Sequence, residues 1–259
     1  MHTVFMTGRG EKESPGAVAQ PLFATTHWSV VLATADPNSP QAGAALEQLC
    51  QTYWYPLYVY IRRRGYSPED AQDLTQEFFA VFLRNQKFGL ADRARGRFRT
   101  FLLHALEHFL VNEWKRNQRL KRGGGAQCLS LDTEQGERRY AQEPAGTMTP
   151  ARAYEQRWAM TLLEQVLSAL EREYTAAGGT RVFTELAELL WGKDTGVSYA
   201  QIAERLSMTE GAVRGAMHRL RERYRARLRA EVAHTVAEPG EVEEELRYLI
   251  QVVSEGNLL

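Results

Sequence analysis

The sequence predicts an all-α fold: two small helical domains joined by a flexible linker and followed by a C-terminal helix. Three observations carry that expectation. Apolar residues recur with the 3.6-residue spacing of amphipathic helices along the chain. The alternating apolar–polar runs that mark half-buried strands are absent. A stretch rich in glycine and polar residues, "RGGGAQCLSLDTEQGERRYAQEPAGTMTP", parts two helical blocks. With 259 residues and 44% hydrophobic content, the chain can fill packed cores, and wholesale disorder is excluded. The expected divisions are a mobile start over residues 1–25, a helical domain over 26–122, the linker over 123–150, a second helical domain over 151–234 and an acidic helical extension over 235–259.

In the first block the spacing fits helices over Trp28–Ala35, Ala42–Arg64, Pro68–Arg84 and Phe98–Lys121, with Pro56 expected to kink or split the second. Ser67 stands as an N-cap with Pro68 at the first helical position. Leu74, Phe78, Val81 and Phe82 form the core side of that helix; Asp70, Asp73, Glu77 and Arg84 share another face, with Gln76 near its edge. Paired carboxylates can serve catalysis, but no His, Lys or metal-ligand pattern accompanies these.

The following segment is strongly basic. From Arg93 to Arg122 it holds nine Lys and Arg against Glu107 and Glu113, a local charge of +7 in a chain whose net charge is zero. Arg97, Thr100, His104, Glu107, His108, Val111 and Lys115 fall on one helical face, and Phe98, Phe101, Leu102, Ala105, Leu106, Phe109 and Leu110 occupy the rest. Basic residues interleaved with aromatics suit single-stranded or melted nucleic acid; most of the aromatics are expected to be core, with the polar face and the preceding loop meeting the ligand. The candidate contacts are Arg95, Arg97, Arg99, His104, His108, Asn112, Lys115, Arg116 and Arg119. "HALEH", His104 to His108, also fits the H-x-x-E-H pattern of a zinc peptidase. No third ligand stands out downstream, so neither a metal nor a cofactor is expected.

In the second block, Ser198 followed by Gln201 reads as a capping box, and Ile202, Ala203 and Leu206 make a short apolar face. "SMT" is a turn in which Met208 plugs the corner and Thr209 caps the next helix. Val213, Met217, Leu220, Tyr224 and Leu228 then form one buried stripe, beside an outward stripe of Arg214, His218, Arg221 and Arg225. Between Arg214 and Arg229, seven arginines face one acid, Glu222. A short helix, a turn and a basic helix together predict a helix-turn-helix; the plain alternative is a solvated arginine-rich helix. Thr209, Glu210, Arg214, His218, Arg219 and Arg221 are the candidates for duplex DNA. Gly211 and Gly215 bare the backbone either for close approach to DNA or for tight helix packing.

The tail carries Glu238, Glu241, Glu243, Glu244, Glu245 and Glu255 against Arg247. Val242, Leu246, Leu249 and Val253 give it an apolar stripe, so a docked helix is expected. Two roles fit equally: restraint of DNA binding through charge, with the arginine helix as the nearest basic surface, or completion of the core. Cys50 and Cys128 lie far apart in unlike contexts, which suits a reducing compartment. The N-terminus has no apolar core of a signal peptide, and no run approaches the ~18 apolar residues of a membrane span. A cytoplasmic protein without membrane insertion is the expectation.

Three stretches, in this order, resemble bacterial RNA polymerase sigma factors of the extracytoplasmic-function (ECF) type. "DAQDLTQEFFAVFLR" is similar to the region two helix that docks on the polymerase clamp. "GRFRTFLLHALEHFLVNEWKR" is similar to the segment that reads and helps melt the −10 promoter element. "SYAQIAERLSMTEGAVRGAMHRLRERYR" is similar to the region four helix-turn-helix that reads the −35 element. The resemblance covers about 46–122 and 151–229. It implies that Asp70, Asp73, Gln76 and Glu77 contact core polymerase, that residues 91–99 form the loop accepting a flipped −10 base, and that residues 209–219 read the −35 element. Where this chain has Arg214, Gly215 and Ala216, most of the family carries a Lys-Ser-Arg-like run. The implied partners are core RNA polymerase and promoter DNA, with room for an anti-sigma factor; the implied mechanism is binding, not catalysis. The rival readings are a helix-turn-helix regulator that works without polymerase and, more remotely, the zinc peptidase on His104 and His108. Co-purification with core polymerase separates the first from the sigma reading, and metal analysis tests the second.

Overall fold

The structure, a computed structural model, describes residue 31 and residues 42–85, 90–119, 133–141, 148–190 and 197–255. Among these are α1 (Ala42–Arg63), α2 (Pro68–Arg84), α3 (Phe98–Arg119), α4 (Thr133–Ala141), α5 (Pro150–Ala176), α6 (Thr180–Ala187), α7 (Tyr199–Leu206), α8 (Glu210–Ala233) and α9 (Val242–Glu255), and no strand. The chain is all-α, as the periodicity predicts. The expected helix Trp28–Ala35 and the mobile start lie outside the described residues, apart from a buried Val31.

Local chemistry sets the helix ends. The Ser67 hydroxyl accepts the Asp70 N–H at 3.1 Å and Pro68 opens α2. Thr149 caps α5 in the same way, with Pro150 first. Pro56 does not split α1, which runs continuously through it. Tyr53, Tyr55, Leu57 and Tyr58 around the ring are all buried, and their packing offsets the roughly 3 kcal/mol that an interior proline costs. Cys50 on the same helix is buried too; burial and the nearby Glu47 push its thiol up to about 12.

Two apolar cores organise the helices. The first joins Tyr53, Leu57 and Ile61 of α1, Phe78 and Phe82 of α2, and Leu102 and Leu106 of α3 to Tyr154, Trp158 and Leu162 of α5. Edge-to-face rings knit it, with Phe78–Phe109 at 5.7 Å and Tyr53–Phe98 at 5.5 Å between centroids. Val232 at the end of α8 and Val242, Leu249, Val252 and Val253 of α9 belong to the same core. The second core holds Val166 and Leu170 of α5 with Phe183, Leu186, Ile202, Val213, Met217 and Leu220 of α6 to α8. Thus α5, 27 residues and about 40 Å long, is a beam whose first half lies on α1 and whose second half carries the helix-turn-helix.

Helix α4 falls inside the stretch whose composition reads as linker. Glu137 fastens it to α1 by accepting from Tyr58 and from Arg62 at 3.0 Å, and the Arg62 guanidinium lies 4.7 Å from the Tyr140 ring. Glycine is required at 136, where a Cβ would run into the indole of Trp54. These partners are 75 or more residues distant in sequence, so composition could not reveal them.

Candidate nucleic-acid interface

On α2 the burial of Ala71, Thr75, Phe78, Phe79 and Phe82 turns Asp70 and Asp73 outward, both exposed, with Gln76 and Glu77 half-buried beside them. Asp70 accepts from the Ser67 hydroxyl at 2.9 Å. Glu77 accepts from Arg116 of α3 at 2.8 Å, and the same guanidinium holds Glu113 at 2.8 Å. Burial pushes the Glu113 carboxyl up, the Glu77 charge adds to this, and Arg116 opposes it. The acidic face of α2 and the basic end of α3 therefore form one continuous surface.

The segment before α3 contains a 3₁₀ turn over Arg93–Arg95 and Gly96 at φ +126°, a conformation only glycine adopts readily. Arg95 points to solvent and reaches Asp92 at 3.3 Å. His104, His108, Asn112 and Lys115 are exposed along α3, Arg116 is exposed, and Arg119 ends the helix. Arg99, another of the candidate strand contacts, lies inside the protein in this structure. It is 3% exposed, held by Glu155 at 2.9 Å and by Glu245 of α9 at 2.5 Å, with its guanidinium 4.3 Å from the Trp158 ring. Burial works against its charge; the Glu155 and Glu245 carboxylates outweigh that and raise its pKa. Arg97 is half-buried and also reaches Glu245, at 2.5 Å. In this arrangement neither guanidinium is as open to solvent as those of Arg95 and Arg116. The hydrophobic side chains at Val111 and Trp114 are, by contrast, 48% and 58% exposed beside Lys115; Phe98 and Phe109 are core, as expected of most of these rings, and Trp114 stands outside it.

His104 Nδ1 lies 3.2 Å from Glu107, which also accepts from Tyr60 at 2.9 Å. The glutamate of "HALEH" is thus turned toward protein partners. Among the described residues no three His, Cys, Asp or Glu side chains are grouped to hold a metal, and no helix is long and apolar enough to cross a membrane.

The helix-turn-helix is built by its caps. Ser198 and Gln201 exchange both bonds of a capping box, Ser207 takes a left-handed turn at φ +54°, and the Thr209 hydroxyl accepts the Ala212 N–H at 3.2 Å. Val213, Met217, Leu220 and Tyr224 are buried as the stripe predicts, and Met208 packs against the same core. Thr209, Glu210, Arg214, His218 and Arg219 are exposed on the outer side of α8. Arg214 pairs with Glu210 at 2.6 Å and lies 5.4 Å from the Tyr199 ring. Arg221 is half-buried and donates to the Leu189 carbonyl at 3.4 Å. Nothing lies within 4 Å of a Cβ built at Gly211, so tight helix packing does not account for that glycine.

The arrangement presents an acidic face of α2, a basic aromatic stretch of α3 and a basic face of α8, each turned to solvent. The family model for "ECF sigma factor" matches residues 44–230, well over half of the chain. No curated protein and no solved structure matches it.

Proposed function

Since the chain belongs to the ECF sigma factor family, whose members are non-enzymatic transcription initiation factors that work with core RNA polymerase and promoter DNA, we propose a division of that work among its surfaces. Asp70, Asp73, Gln76 and Glu77 on α2 dock on core polymerase. Residues 91–99, with His104, His108, Asn112, Lys115, Arg116 and Arg119, meet the displaced −10 strand, and Trp114 offers a ring on which an unpaired base can stack. Thr209, Glu210, Arg214, His218, Arg219 and Arg221 read the −35 duplex from the N-terminal part of α8, as the second helix of such motifs does. Phosphate contacts by the arginines supply affinity, and base-edge contacts supply specificity. Residues 26–122 act as the polymerase and −10 unit and 151–234 as the −35 unit, in the cytoplasm, with an anti-sigma factor as an additional candidate partner.

The observation that carries this reading is the outward placement of the α2 acids next to the basic end of α3, linked through Glu77 and Arg116. A repressor that acts alone needs no such acidic docking face beside a strand-binding one. Run-off transcription with core polymerase on a promoter library tests it: the wild-type chain should yield discrete start sites. The variant carrying Asp73→Lys and Glu77→Lys should lose co-purification with polymerase while keeping its helical circular dichroism. Undiminished polymerase binding by the variant refutes the assignment of α2.

A further inference from the structure

Helix α9 begins at Val242, beyond the residues 44–230 that match the family. It is nonetheless seated on the core of the matched part. Val242, Leu249, Val252 and Val253 are buried there, Gln156 of α5 donates to the Val252 carbonyl at 3.4 Å, and Arg152 pairs with Glu255. Arg229 of α8 pairs with Glu243 from the other side.

One carboxylate enters this apolar seat. Glu245 is wholly buried, with one oxygen 2.5 Å from Arg97 and the other 2.5 Å from Arg99. The carboxylate is therefore met by two guanidinium groups while being wholly removed from water. Burying a charge in that way is expensive, and a leucine of similar volume would serve packing better. A half-open apolar pocket of about 190 Å³, lined by Leu163, Leu228, Leu246 and Leu249 and by the exposed Ile250, lies along α9 beside this seat. A charge buried at such cost is a poor stabiliser. It is a good latch, because Arg97 and Arg99 can exchange it for another anion.

The proposed function places those two arginines in the segment that meets the −10 strand. A strand phosphate would compete with the Glu245 carboxylate for Arg97 Nε and Arg99 Nη1. We infer that α9 is an intramolecular latch: in the unbound protein Glu245 occupies Arg97 and Arg99, and it must leave before residues 91–99 can take up the −10 strand. This rests on the −10 assignment made above.

The test measures binding of a fluorescent single-stranded −10 oligonucleotide to the full chain, alone and with core polymerase, at low and high salt. Glu245→Gln keeps the volume and removes the charge; Arg99 retains Glu155, so it is not left unpaired. The variant should bind the strand at least about tenfold tighter than wild type at low salt, and the gain should fade as salt screens the arginines. Arg97→Gln in the Glu245→Gln background should erase most of the gain. Amide exchange over residues 91–99 should also rise in Glu245→Gln without a global loss of protection. Should that variant fold poorly, Glu245→Leu suits the apolar seat and should give the same release. Equal strand binding and equal exchange in wild type and both variants overturn the latch and leave α9 as a packing element. Strand binding absent from every protein, even with polymerase bound, overturns the −10 assignment and the latch with it, whereas equal binding overturns the latch alone.

Discussion

Arg214 is the residue on which duplex recognition should turn. Thr209 caps α8 and Glu210 holds the Arg214 guanidinium at 2.6 Å beside the Tyr199 ring, on an otherwise open helix face. An exposed pair of this kind adds little to stability, so its consequence is orientation of the fork before DNA arrives. Arg214→Ala should weaken binding to the −35 duplex roughly tenfold or more, as loss of a bidentate base contact does, without lowering the melting temperature. Fluorescence anisotropy on a −35 duplex, paired with a thermal melt, checks both halves. An Arg214→Ala protein that binds the duplex as wild type does would remove Arg214 from the reading set. Arg99 makes the opposite point: the same residue type, also in a basic stretch, is internal because Glu155, Glu245 and Trp158 surround it.

At the scale of elements, α4 is the clearest case of a helix held by its surroundings. It is nine residues long, below the length at which a helix is stable alone, and its sequence is polar. Glu137 and Tyr140 dock it on Tyr58 and Arg62 of α1, and Gly136 lets it approach Trp54. Gly136→Ala would ordinarily favour a helix by about 1 kcal/mol. Here the added methyl meets the Trp54 indole, so the substitution should displace α4 and destabilise the chain instead. Faster amide exchange over residues 133–141 would show it; increased protection there would mean that α4 does not rest on Trp54.

At the scale of the molecule, the decisive element is α5, which contributes to both cores. Trp158 is 2% exposed and supports Arg99 from below, while Val166 and Leu170 two and three turns on belong to the helix-turn-helix. Trp158→Ala should cost about 3–5 kcal/mol. Because the beam is continuous, the loss should appear in the melting of both halves. Calorimetry, with exchange followed separately in α2 and α8, measures this. Destabilisation confined to α2 would mean that the two cores unfold independently.

What the sequence determined by itself is the set of features whose cause lies within a few residues. The limits of α2, the capping box at Ser198, the cap at Thr209 and the buried stripe of α8 all stand where spacing and cap chemistry put them. The order of the three motifs sufficed for the family. Tertiary structure decided what depends on distant partners: that α1 continues through Pro56, that a helix forms within the polar linker, and that Arg99 is inside. By composition Glu245 is one acid of the tail among several, although it stands three residues after Val242 and four before Leu249, on the apolar face. That position was a signal of burial. Its partners, Arg97 and Arg99, lie far back in the chain, and charge counting along a sequence carries no information about which distant charges a fold brings to 2.5 Å. Caps and stripes are local free energies and can be read in order; ion pairs across a core exist only once α3 and α9 have both packed on the first half of α5.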